Sequence, residues 1–156
     1  MWYIGYGSNM KVSSMAGRRI TPLATEIVTV PTHYVTFDIF GIPYSEPSYG
    51  SIEKFQGAST KLDLVHGQSR TSVPALCGVA HLLTPADFHR LLVTEGSGVV
   101  YDIVPVETHR LDEARKPTGL PFTGYTLKAK WPQRPNGTPS ARYMVSLEDA
   151  EVGDLY

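Results

Sequence analysis

The sequence predicts an α+β domain centred on a small mixed or closed, barrel-like β-sheet with a few flanking helices. Three observations carry this. Strand-like runs outnumber helix-like ones, the helices are short and punctuated by caps, and the two types show no regular βαβ alternation. Residues 2–6 are rich in aromatic and branched side chains that suit a pleated, buried surface. Residues 26–30 and 34–40 are β-rich runs separated by Pro31, and residues 76–83 form a mostly apolar run between Pro74 and Pro85. Residues 99–107 follow Gly96 and Gly98, and Pro105 places the far end of that strand at an edge or bulge. Residues 122–130 alternate well enough for a sixth strand.

Helices have clear start signals. Thr84-Pro85-Ala86-Asp87 offers an N-cap, a proline at the first helical position and an acid in the first turn, with Phe88, Leu91 and Leu92 at helical spacing. Gly96-Ser97-Gly98 ends this helix near Glu95. Ser140 is expected to cap a second helix over residues 141–148. Residues 41–70, with Pro43, Pro47 and several Gly and Ser, read as a long surface excursion. No repeat or low-complexity linker divides the 156 residues, so one domain over residues 1–156 is expected.

Composition narrows the function classes. Fourteen Lys and Arg nearly balance fifteen Asp and Glu, with no basic run, which gives no support to a nucleic-acid or membrane-surface partner. No signal-peptide pattern opens the chain and no apolar run approaches membrane-spanning length, so the expectation is a soluble, cytoplasmic protein. The single cysteine, Cys77, excludes an intrachain disulfide and reads as a buried small hydrophobe rather than a nucleophile. The histidines His33, His66, His81, His89 and His109 have no metal-ligand spacing and read as surface or packing residues; no metal site and no cofactor are expected. Phosphate-cradle motifs and a G-x-S-x-G nucleophile motif are absent.

Two places invite chemistry. Strand 2–6 runs into Gly7-Ser8-Asn9, a cluster of turn formers that is either an ordinary turn or one that aims consecutive backbone N–H groups at an anion. Glu95 stands at a helix C-terminus, where the dipole disfavours an acid; it reads as a solvated helix end or as a functional carboxylate.

Tyr3-Ile4-Gly5-Tyr6-Gly7-Ser8-Asn9-Met10 resembles the N-terminal YGSN motif of the γ-glutamylcyclotransferase-like family. Thr94-Glu95-Gly96 resembles that family's Glu-Gly element with its catalytic glutamate, and Tyr101, Tyr125 and Tyr143 follow in family order. The matches span most of the chain. Residues 37–53 resemble fungal members, which include natural-product pathway proteins, and Asn9 after Ser8 fits this branch better than the glutathione-specific one. Relatives continue past the equivalent of Tyr156 into further helical structure, so a C-terminally shortened domain is expected.

The resemblance implies a γ-glutamylcyclotransferase-like fold and release of 5-oxoproline from a γ-glutamyl amide or dipeptide. It implies Glu95 as acid/base and Tyr6, Gly7, Ser8, Asn9, Met10, Tyr101, Tyr125 and Tyr143 as substrate-binding residues. The backbone N–H groups of Gly7, Ser8 and Asn9 would hold a carboxylate or an oxyanion. Tyr3, Tyr34, Tyr44 and Tyr49 read as packing or surface residues. The partner expected is a small molecule carrying a γ-glutamyl or similar group; a homodimer stays open. Two alternatives remain: a cyclase or isomerase of a natural-product pathway using the same glutamate, and a non-catalytic small-molecule binding module.

Overall fold

A computed structural model describes residues 1–55, 73–141 and 144. Five strands close into a barrel in the order β1 (Trp2–Gly5), β5 (Leu76–Leu82), β2 (Ala24–Val30), β6 (Tyr101–Leu111) and β7 (Pro117–Ala129). All pairings are antiparallel except β1 with β7, where Tyr3 meets Tyr125 in parallel and shuts the barrel. The mixed, closed, barrel-like sheet read from the sequence is therefore the observed architecture. Closure needs the N-terminal strand to lie between two distant ones, and its WYIG sequence suits that place: Tyr3, Ile4 and Gly5 are all buried.

Apolar side chains sort onto two sides of this sheet. Ile4, Val28, Val30, Leu76, Ala80 and Val106 form one cluster, joined by Ile52 from outside the barrel. Tyr3, Leu83 and Leu127 pack on Met15 and Ile20 and on Phe88 and Leu91. The first group of partners belongs to α1 (Val12–Gly17) and the residues just after it, the second to α2 (Pro85–Thr94). Full burial of a Leu, Ile or Phe side chain contributes about 1.5–3 kcal/mol, so each helix is held by its apolar face. The α2 start signals act as expected: the Thr84 hydroxyl accepts from Asp87 N–H at 3.1 Å and Pro85 occupies the first turn. The bulge in the β6–β7 pairing lies between Thr108 and Arg110, whereas Pro105 sits where β6 has a register partner only on β7.

Two expectations need correction. Residues 41–70 are not wholly an irregular excursion. Glu46–Lys54 is strand β4, paired antiparallel with β3 (His33–Ile42) in a two-stranded ribbon. Gly41 and Ser48 suit it because the strands pack closely there. A Cβ on Gly41 would lie 1.7 Å from the Glu46 carbonyl oxygen, and the Ser48 hydroxyl donates to the Phe37 carbonyl at 3.0 Å. The ribbon docks on the barrel where Ala129 N–H donates to the Ser51 hydroxyl at 2.8 Å.

Cys77 is exposed rather than buried. The apolar run around it is a strand, and alternation turns Leu76 and Gly78 inward and Cys77 outward. The turn expected at Gly7-Ser8-Asn9 is a 3₁₀ turn over Ser8–Met10, and the short helix α1 that follows it was not expected. Of the helix expected over residues 141–148, Ala141 and Met144 are helical, with Met144 N–H donating to the Ser140 carbonyl at 3.1 Å. The rest, like residues 56–70 of the excursion and His66, lies outside the described residues.

Candidate active site

The turn after β1 is built by close backbone approach. Gly5 has no Cβ, and one placed there would lie 2.7 Å from the Asn9 carbonyl oxygen, so only glycine lets the Ser8–Met10 3₁₀ turn fold back onto the strand. Met10 N–H closes the turn onto the Gly7 carbonyl at 3.0 Å. Among the described residues, the N–H groups of Gly7, Ser8 and Asn9 have no acceptor. Beneath the turn, fully buried His81 donates from Nε2 to the Asn9 carbonyl at 3.0 Å, since a carbonyl can only accept. Its Nδ1 lies 3.3 Å from the Thr25 hydroxyl. His81 is thus a packing residue, as expected, but one that fixes the height of this turn.

Asn9 also acts through its side chain. Nδ2 donates to the Tyr3 hydroxyl at 3.1 Å, while Oδ1 is buried with no partner among the described residues. Burial, reinforced by the nearby Glu95 carboxylate, raises the Tyr3 phenol far above its ordinary value and keeps it protonated.

Glu95 reaches the same place from α2. Its N–H donates to Leu91 O at 3.0 Å, so it caps the helix, and the chain then turns through Gly96 and Gly98, both with left-handed φ (67° and 86°). The Glu95 side chain is 16% exposed and pairs with the Arg18 guanidinium. Arg18 follows α1 directly and is anchored by Nη1 donating to the Ser14 carbonyl at 3.0 Å. The cation offsets what the α2 dipole costs an acid at this end. Arg18 was missed by the sequence reading; the misplaced acid was a signal that some cation should face it.

A cleft of about 40 Å³ is lined by Tyr3, Tyr6, Gly7, Ser8, Asn9, Gly50, Glu95, Tyr101 and Leu127. It brings together six of the expected site residues: Tyr6, Gly7, Ser8, Asn9, Glu95 and Tyr101. Tyr6 donates to the Leu127 carbonyl at 2.7 Å and Tyr101 to the Gly50 carbonyl at 3.3 Å, so both rings are held across strands. Met10 is not in the lining; it is buried beside Val79. Tyr125 is not either, and instead packs edge-on to Phe88 with centroids 5.9 Å apart. Tyr143 lies outside the described residues. Tyr3, expected to be a packing or surface residue, packs in the core and also lines the cleft. Among the described residues no group of three or more His, Cys, Asp or Glu could hold a metal ion.

Over 146 residues, 93% of its length, the chain is 71% identical to the γ-glutamyl cyclotransferase verK of Clonostachys rogersoniana and covers 82% of that protein. The chain belongs to the γ-glutamyl cyclotransferase family. This is a family of enzymes. A second relative, the γ-glutamyl cyclotransferase gliK of Aspergillus fumigatus, is 47% identical over 92% of the chain, which spans only about half (54%) of its length. No protein-family model matches.

Solved structures agree on the fold. A γ-glutamyl cyclotransferase superposes with a TM-score of 0.68 at 13% identity, over 99% of this chain and 80% of the other. A yeast γ-glutamyl cyclotransferase specific to glutathione gives 0.63 at 14% identity, over 97% and 86%. Among the described residues no helix is long and apolar enough to cross a membrane.

Proposed function

We propose that this cyclotransferase releases 5-oxoproline from a γ-glutamyl amide or peptide by intramolecular aminolysis, with Glu95 as the acid/base. One observation carries the reading: the Glu95 carboxylate shares a small polar cleft with three backbone N–H groups that have no acceptor among the described residues. The α-amine of the γ-glutamyl group attacks its own γ-carbonyl, closes a five-membered lactam and expels the amine. Both reactants belong to one molecule, and holding them in the folded conformer can lower the barrier by about 7–11 kcal/mol in favourable cases.

Each residue then has a role. An α-amine with a pKa of about 7.7–8.0 is largely protonated near neutrality, so a base must take its proton; Glu95 does so and returns one to the leaving nitrogen. The substrate ammonium takes over part of the contact that Arg18 makes with Glu95 in the free enzyme. Asn9 Oδ1, buried without a partner among the described residues, is a further acceptor for that ammonium. The Gly7, Ser8 and Asn9 N–H groups face the negative charge, on the substrate carboxylate or on the developing oxyanion. Tyr3, kept protonated, supplies a neutral donor beside Glu95.

The test is 5-oxoproline release from a panel of γ-glutamyl dipeptides and amides, followed by mass spectrometry. Wild type forms it, and Glu95→Gln lowers the rate at least about 100-fold with unchanged circular dichroism. Glu95-dependent conversion without 5-oxoproline would transfer the same site to another proton-transfer reaction, and ligand binding without turnover would make it a binding module.

A further inference from the structure

The 40 Å³ cleft does not end the site. A second, wider cavity of about 520 Å³ opens from it, and Ser8, Gly50, Glu95 and Tyr101 belong to both walls. Glu95 therefore stands at a junction, with the N–H turn on one side and a broad groove on the other. A γ-glutamyl compound bound for lactam closure has its head at the turn. Its scissile nitrogen lies at the carboxylate that protonates it, so the leaving amine must extend beyond Glu95. The groove is the continuation available to it.

The walls of that groove define its occupant. The β3–β4 ribbon contributes Ile39, Phe40, Ile42 and Tyr49, and Val100 joins the lining from the turn just before β6. Phe40 and Ile42 are 78% and 59% exposed, an unusual investment of large apolar surface beside a polar cleft. The ionised groups in the lining have partners: Arg18 pairs with Glu95, and the Glu46 carboxylate accepts from Ser140 N–H at 3.1 Å and from its hydroxyl at 2.8 Å. Glu46 also sets an acid in the wall, which opposes a second carboxylate there.

Resting on the cyclotransferase reading, we infer that the groove binds the leaving group, and that the preferred substrates are γ-glutamyl amides whose amine carries a bulky apolar group rather than a small amino acid. The ribbon is the specificity element. It lies outside the barrel, so its tip can present apolar side chains to the substrate without disturbing the core that holds Glu95 and the turn.

The experiment compares γ-glutamyl-2-naphthylamide with γ-glutamyl-alanine for wild type and for the double variant Phe40→Ser/Ile42→Ser, whose sites are exposed and so leave folding intact. Wild type is expected to favour the naphthylamide at least about tenfold in kcat/KM, and the double variant to lose about tenfold on the naphthylamide while staying within about twofold on γ-glutamyl-alanine. Equal rates in wild type, a preference for alanine, or a variant that affects both substrates alike would overturn the inference. Calorimetric binding of the naphthylamide to Glu95→Gln, with and without the two groove substitutions, separates this from the reaction itself. If neither compound is turned over, the cyclotransferase reading fails, while weaker binding caused by the groove substitutions still supports the groove and unchanged binding rejects it.

Discussion

Replacing Gly5 with alanine tests whether the turn above β1 sets the rate. The added Cβ would sit 2.7 Å from the Asn9 carbonyl oxygen, 2.8 Å from its carbon and 3.2 Å from Met10 N. All three are backbone atoms of the turn, so no side chain can swing aside. Ordinary contact starts at 3.4 Å, and the turn must retreat by about 0.7 Å. That retreat strains the 3.0 Å bond from His81 to Asn9 O and displaces the Gly7, Ser8 and Asn9 N–H groups relative to Glu95. Overpacking of this kind costs about 1–3 kcal/mol of stability, and a displacement approaching 1 Å lowers kcat/KM by about 10–100-fold. Gly17→Ala is the control. Beyond its chain neighbours and its own helix backbone nothing lies within 4 Å of a Cβ there, and the change should be neutral or stabilise by about 0.4–1 kcal/mol with activity intact. Urea unfolding and 5-oxoproline release from one γ-glutamyl substrate measure both quantities. A Gly5→Ala enzyme with wild-type kcat/KM would refute the claim that the turn acts on the substrate, whatever its stability.

Two further predictions concern charge. Arg18→Met removes the partner that fixes the Glu95 carboxylate; kcat should fall about tenfold with the fold retained, whereas a rise in kcat/KM would show that Arg18 only masks the base. His33 is held below its ordinary value by burial first, and then by the charges of Lys54 and Lys128. The unfolded chain therefore takes up this proton before the folded one, so stability is full above about pH 6.5 and falls as the pH drops below it. His33→Gln should flatten that fall in urea midpoints measured at pH 7.5, 6.5 and 5.5; an equally steep fall would assign it to other groups.

What the sequence made readable is what local chemistry determines. The Thr84-Pro85 start of α2 and its Gly96 stop are encoded within a few residues of where they act, so the position of Glu95 at the helix end could be read directly. The barrel's strands were legible because branched and aromatic residues recur in short bounded runs. Strand β4 was not, because Ser48, Gly50 and Ser51 look like turn residues until Ser48 is seen bonded to the Phe37 carbonyl of β3 and Ser51 to the Ala129 N–H of β7. Cys77 failed for a related reason: an apolar run reveals a strand but not which face of it any one residue takes.

The site divides along the same line. Tyr3 and Tyr125 are register partners across the seam that closes the barrel, yet Tyr3 lines the cleft and Tyr125 packs on Phe88. Nothing in their local sequences separates them, because the choice is made by where Asn9 folds back to meet the Tyr3 hydroxyl. That fold-back depends in turn on Gly5 having no side chain and on His81, seventy-two positions from Asn9, reaching its carbonyl. Most residues that line the cleft can thus be named from a motif, but the ones that hold them in place, His81 on β5 and Arg18 just after α1, come from elements the motif does not mention. Pairing of β1 with β5 brings His81 beneath the turn, and packing of α1 on the barrel brings Arg18 to Glu95, which is why residues more than eighty positions apart meet in one cleft.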